Sequence, residues 1–210
     1  MEIIKLRPLS VCETNSYIVA AESGNCVLID APSDAEYIYN EIVKRHLELK
    51  KILLTHGHFD HVGAVADLVD KTGCEVYIHE DDINKLSDAE GMLINFFRIR
   101  GFRTFDGAVP IKDGDIIKLE ELEFDVVHTP GHTSGSVCFI IGDVMFSGDT
   151  IFRRSVGRTD MPDGDSEKLM ESMKVIGELG GNLRILPGHM EETSLDDERK
   201  YNYYLKQAGV

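Results

Sequence analysis

Residues 55–64 read THGHFDHVGA, placing His56, His58, Asp60 and His61 within six positions. An H-x-H-x-D-H pattern arises by chance in roughly one chain in a thousand of this composition, so it calls for a chemical explanation. Imidazole and carboxylate are the usual nitrogen and oxygen ligands of Zn²⁺ and related ions. In extended backbone, side chains at i and i+2 share a side, so His56 and His58 can grip one ion together. Asp60 and His61, displaced in phase at the start of a helix, can serve a second.

Outward from this stretch the chain alternates between strand and helix signals. Residues 3–6, 16–20 and 26–29 read as an opening meander of strands, with Glu22-Ser23-Gly24-Asn25 as a hairpin turn. Residues 35–49 read as a helix, because Ile38, Ile42, Val43 and Leu47 recur on one face. Residues 51–55 and 75–79 are strands around a helix over 62–71. Strands follow at 122–128, 136–141, 144–147 and 184–186. Helices follow at 166–179, capped by Asp165 or Ser166, and at 194–207. Strand runs separated by helices in two halves predict an α/β sandwich rather than one doubly wound sheet. No linker interrupts the pattern, so residues 1–210 read as a single domain.

Three more candidate ligands occupy matching contexts. His132 follows a strand in Pro-Gly-His, Asp149 follows one in Gly-Asp-Thr, and His189 follows one in Pro-Gly-His. Seven candidate ligands at the ends of four strands fit a binuclear site between two sheets. The repeated Pro-Gly-His suggests that the two halves of the fold mirror each other. His46, His79 and His128 lack such a context and read as structural. Residues 83–110 hold Phe96, Phe97, Phe102 and Phe105 among Arg98, Arg100 and Arg103 with no clean period. That stretch reads as a surface cover over one sheet, as a lid or substrate wall, or as the contact of a homodimer.

Composition narrows the function classes. With 22 Lys+Arg against 37 Asp+Glu, the formal net charge is -15, which argues against nucleic acid and anionic membranes as partners. No run approaches the roughly 18 apolar residues of a spanning helix. The start, MEIIKLRPLS, has too short an apolar stretch for a signal peptide. Cys12, Cys26, Cys74 and Cys138 read as buried thiols of a reducing compartment, and the expected localisation is cytoplasmic.

THGHFDHVGA, TPGHTSGS, SGDTIF and LPGH, in this order and spacing, resemble the metallo-β-lactamase superfamily over essentially the whole chain, and within it glyoxalase II (hydroxyacylglutathione hydrolase) of the short bacterial type. The stretch over 157–165, GRTDMPDGD, and GHMEETSLDDERKYN near the end are similar to that short group. The resemblance implies an αββα four-layer sandwich, two mixed sheets flanked by helices, without the separate C-terminal glutathione-binding helical domain of longer members. It implies two divalent metal ions per chain, zinc first, with iron or manganese as alternatives. His56, His58 and His132 would bind the first ion, Asp60, His61 and His189 the second, with Asp149 bridging and Asp30 supporting. The implied reaction is hydrolysis of a small-molecule thioester of the S-lactoylglutathione type by metal-bound hydroxide, with Asp60 orienting the nucleophile or accepting its proton.

Arg153, Arg154 and Arg158 cluster past Asp149 and are candidates for a substrate carboxylate. Arg158 matches a substrate-contacting basic position of the family, while an ion pair with Asp160 or Asp163 gives it a structural use. Asp160 and Glu191 stand where the family has tyrosines. Many β-lactamases of this fold place a cysteine near the Asp149 position, and no cysteine here is a sequence neighbour of a candidate ligand. Processing nucleases of the superfamily carry basic surfaces that this chain lacks. Persulfide dioxygenases, with one iron on two histidines and an aspartate, and a non-catalytic metal-binding module are the alternatives.

Overall fold

Alternating and continuous apolar runs pack here as two sheets face to face. The structure, a computed structural model, describes residues 1–10, 12–88 and 102–210. Strands Glu2–Lys5 (β1), Tyr17–Ala20 (β2), Asn25–Ile29 (β3), Glu48–Leu53 (β4), Glu75–His79 (β5) and Val109–Ile111 (β6) form one sheet in sequential order. β1, β2 and β3 are antiparallel, and β3 to β6 run parallel. The second sheet holds Ile116–Leu119 (β7), Leu122–His128 (β8), Val137–Ile141 (β9), Val144–Gly148 (β10), Arg184–Pro187 (β13) and Thr193–Ser194 (β14). Its order is β14-β13-β10-β9-β8-β7, mixed through the parallel β10–β13 pair. Ile151–Phe152 (β11) and Ser155–Val156 (β12) make a small hairpin.

Period-2 alternation assigns each strand's side chains to a layer. In β8, Leu122, Phe124 and Val126 point into the cluster between the sheets, while Glu123 and Asp125 face outward. β2 is buried on both faces, with Tyr17 and Val19 between the sheets and Ile18 and Ala20 beneath helices. Helices Ala35–Lys44 and Val65–Thr72 cover the first sheet. Helices Ser166–Glu178, Leu195–Tyr201 and Tyr203–Gln207 cover the second. The result is the expected αββα sandwich. Among the described residues no helix is long and apolar enough to cross a membrane.

Several boundaries differ from the sequence expectation. The helix begun at Ala35 stops at Lys44, and residue 48 already starts β4. His46 takes φ 58, and the His46 and Leu47 N–H groups bond back to Val43 and Ile42. That is a left-handed helix stop made without glycine. The helix expected over 62–71 is a short turn, Phe59–Val62, and a separate helix, Val65–Thr72. The last helix breaks at Asn202, whose buried amide donates to the Ser155 carbonyl and Glu198. The two Pro-Gly-His loops follow β8 and β13 of the same sheet, so their repetition does not mirror the halves. Of the phenylalanine-rich stretch, residues 89–101, with Phe96, Phe97, Arg98 and Arg100, lie outside the described residues. Phe102 and Phe105 pack against the cluster under the first sheet's helices.

Candidate metal centre

Four strand ends, one in the first sheet and three in the second, open onto one edge of the sandwich. The loop after β4 brings His56, His58, Asp60 and His61; those after β8, β10 and β13 bring His132, Asp149 and His189. His56, His58 and His132 form one group of donor atoms within 4.8 Å of one another, and Asp60, His61 and His189 form another. Asp149 groups likewise with His56 and His61. Its carboxylate lies 3.6 Å from His132 Nε2 and 3.3 Å from His189 Nε2, between the two sets. All seven sequence candidates therefore meet.

The ring nitrogens are assigned by their outer partners. His61 Nδ1 donates to Asp30 at 2.8 Å, leaving Nε2 inward. His132 Nδ1 donates to the Arg158 carbonyl at 2.8 Å, which turns Nε2 toward His58 Nδ1, 3.0 Å away. Asp30 directly follows β3 at φ 58 and accepts from both the N–H and hydroxyl of Thr55 at 2.8 Å. Gly188 allows the last ligand its approach, because a Cβ there would stand 2.4 Å from Asp149 Oδ1 and 2.7 Å from His61 Cε1.

Electrostatics separate the two groups. Burial and the neighbouring imidazoles push His56 well below the usual histidine range, and burial with His132 takes His58 to about 3. Burial opposes charge on His61 and His189 too. Asp149, Asp30 and Asp60 overcome it at His61, raising that group to about 9. Asp149 and Asp60 raise His189 to about 10. Burial likewise works against the charged Asp149 carboxylate, yet His61, His189 and His132 hold it down at about 2. His56 Nε2 and Asp149 Oδ1 are buried without a hydrogen bond. Such orphaned atoms are rare in native interiors, and cations among these donors would satisfy both. The donor set suits divalent metals.

Other candidates fall elsewhere. Arg153 is paired with Glu191, and Arg154 lies over the Tyr201 ring, 5.2 Å from its centroid. Neither lines the cavity of about 420 Å³ above the donor groups. Glu191 and the Tyr201 ring draw them onto the surface, away from the cavity lining. Arg158 does line the cavity, with its guanidinium held by both Asp160 oxygens at 2.6 and 2.8 Å. Of the cysteines, all free, Cys26, Cys74 and Cys138 are buried. Cys12 is half-buried in the cavity, and burial with the nearby Asp60 carboxylate pushes its thiol up to about 11. It is thus a spatial neighbour of a candidate ligand, though not a sequence neighbour. His79, Asp81 and His128 also come within 4.8 Å. The His79 and His128 rings lie face to face at 3.9 Å and 13°, so their lone pairs run side by side instead of converging on an ion.

Sequence reasoning missed the segment that seats the second group. Thr14 Oγ1 donates to Asp60 at 3.0 Å, and Asn15 Nδ2 donates to the carbonyls of Pro187 and Met190 around His189. Tyr17 OH donates to Pro187 as well. A run of polar residues entering a buried strand is the one available signal.

Fold and donor groups together define a metal-binding α/β sandwich. The chain matches the metallo-beta-lactamase superfamily over residues 9–189 and belongs to it. It is similar to hydroxyacylglutathione hydrolase GloC of Haemophilus influenzae, 32% identical over 213 residues that span 98% of this chain and 99% of the relative. Among solved structures it is similar to BLEG-1, a B3 metallo-beta-lactamase (TM-score 0.86, 31% identity, 97% and 99% of the two chains). It is also similar to TTHA1623 in a di-iron-bound form (TM-score 0.83, 35% identity, 96% and 100%).

Proposed function

We propose that this chain is a two-metal hydrolase that cleaves a small acyl thioester, with His56, His58 and His132 holding one ion, Asp60, His61 and His189 the other, and Asp149 shared. The observation that carries the reading is the meeting of seven donors from four strand ends in two adjoining groups. The intact second group favours two ions over a mononuclear iron centre. Bound there, the metal pair supplies Lewis acidity and water acidic enough to react near neutral pH.

The chain's own residues arrange the rest. Asp60, anchored by Thr14 at one oxygen, faces the cavity and can orient the nucleophile and hold its proton. A thiolate leaves with a pKa of about 8.5, so departure needs no strong general acid. Phe59, Phe152 and Met190 give the cavity apolar walls beside the donors, which suit an acyl group. The full-length likeness to GloC supports a 2-hydroxyacyl thioester, and zinc, iron and manganese all suit this donor set.

The test is hydrolysis of S-D-lactoylglutathione by metal-replete protein, with Asp149→Ala as the control. Turnover that vanishes in the control is the expected result. A protein holding two ions that opens a β-lactam but no thioester overturns the substrate class and keeps the hydrolase. Full activity in the control overturns the site.

A further inference from the structure

Asp82 is fully buried and belongs to neither donor group. It follows β5 in a turn closed by its own N–H on the His79 carbonyl. Its Oδ2 accepts from the Gly57 N–H at 2.8 Å and from Thr133 Oγ1 at 2.9 Å. Its Oδ1 accepts from the Gly135 N–H at 2.8 Å and pairs with Lys85. Gly57 sits between His56 and His58, and Thr133 directly follows His132. One carboxylate therefore ties the ligand loop of the first sheet to a ligand loop of the second.

The surroundings are shaped to this carboxylate. A Cβ on Gly135 would stand 2.6 Å from Asp82 Cγ, and one on Gly57 would stand 2.9 Å from Lys85 Cβ. Side chains at either glycine would hold the loops away from Asp82. Lys85 continues to Asp163 at 2.7 Å, and Asp163 accepts from the Ser134 N–H at 2.7 Å. A buried charge is tolerated only when paired and hydrogen-bonded, and these donors meet that condition. The second group has other supports: Asp30 at His61, Thr14 at Asp60 and Asn15 at the His189 loop.

We propose that Asp82 is the positioning residue of the first donor group: it sets the spacing of His58 and His132 by holding Gly57, Thr133 and Gly135 on one carboxylate. The inference rests on the metal reading given above. Outer partners of metal ligands are typically worth roughly 10–100-fold in affinity, and this one acts on the first ion alone. Asp82→Asn leaves a carbonyl for one loop but turns an amide N–H₂ toward a donor of the other.

The experiment is a Co²⁺ titration of the metal-free full chain, read by paramagnetically shifted ring N–H resonances. The His132 Nδ1–H reports the first ion and the His61 Nδ1–H the second. Asp82→Asn is expected to move the His132 response to at least about tenfold higher free Co²⁺, leaving the His61 response within about threefold of wild type. Thr133→Val, which removes one donor and keeps the carboxylate, is expected to give a smaller shift of the same kind, and it carries the test if Asp82→Asn does not fold. A fall in melting temperature with both responses unmoved, or moved equally, overturns the proposal alone. A wild-type chain that takes up no Co²⁺ overturns the metal reading and this inference together.

Discussion

The two donor groups lie on either side of Asp149 at one edge of the sandwich, yet their protons behave in opposite ways. The first is all imidazole, and burial strips His56 and His58 of charge, His58 to about 3. The second is crowded with carboxylates, which hold protons on His61 to about 9 and on His189 to about 10. The same side chain is thus a free lone pair in one group and a cation in the other near pH 7. The comparison teaches that a ligand's identity does not set its readiness to bind. Charge within a few ångströms does.

The largest effect is expected where the groups meet. Asp149→Ala removes the carboxylate facing both, so metal content should fall from two ions per chain to below one. Turnover should drop on the order of a thousandfold or more, beyond the 10–100-fold of an outer partner. Elemental analysis beside a thioesterase assay checks it. Loss of one ion only would mean that Asp149 belongs to a single group and that the comparison has been drawn at the wrong boundary.

How much of this was legible in the sequence follows from distance along the chain. His56 to His61 are contiguous, and His132, Asp149 and His189 each follow an apolar strand at a glycine, so periodicity and turn chemistry bring them forward. Asp82 carries no such mark. Its meaning lies in donors 25 and 53 residues away, which only the packing of two sheets brings together. The helix end at His46 was hidden for a related reason: the left-handed cap usually announced by glycine is occupied by a histidine. Arg153 and Arg154 looked like a substrate clamp because they adjoin Asp149 in sequence, but Glu191 and Tyr201, near the C-terminus, decide their direction.

The second largest effect is a pH dependence that separates the groups. Uptake by the second must displace two protons, one each from His61 and His189, at any pH below about 9. Its apparent affinity should therefore fall by up to about a hundredfold for each unit of acidification, while uptake by the first group, where His56 and His58 are already uncharged, should vary less between pH 6.5 and 8. Calorimetry in buffers of different ionisation enthalpy counts the protons. Stability of the metal-free chain should show the same division. Raised pKa values at His61 and His189 give stabilisation that is present below about 6.5 and lost as pH climbs through 9–10. The depressed pKa of His58 works the other way, costing stability as pH falls from about 6.5 toward 3. Equal proton release from the two groups would break the comparison.

Asp30→Asn should sharpen it. The substitution weakens the acceptor for His61 Nδ1 and for the two Thr55 donors. Second-ion affinity should fall roughly 10–100-fold, with a smaller loss at the first ion through Thr55, which contacts His56 Nδ1 at 3.2 Å. Chelator competition with each ion monitored separately gives the ratio. Equal losses would place Asp30 behind both groups.

The smallest effect lies outside both groups and tests whether the cavity rim matters independently of the metals. Arg158 faces the cavity, but both Asp160 oxygens engage its guanidinium, so little of its charge is left for a substrate. Removing the competitor with Asp160→Ala frees the cation without touching a donor. KM for an anionic thioester should fall about two- to fivefold, the worth of an exposed ion pair, with kcat and metal content unchanged. Arg153, paired with Glu191 away from the cavity, provides the contrast: Arg153→Ala should leave KM within about twofold, because the pair it breaks points to solvent. If both substitutions moved KM alike, through-space charge on this acidic surface would be acting in place of contact, and added salt would erase the difference. A change confined to Asp160→Ala and resistant to salt would place the substrate's anionic end on Arg158, the residue whose own carbonyl orients His132.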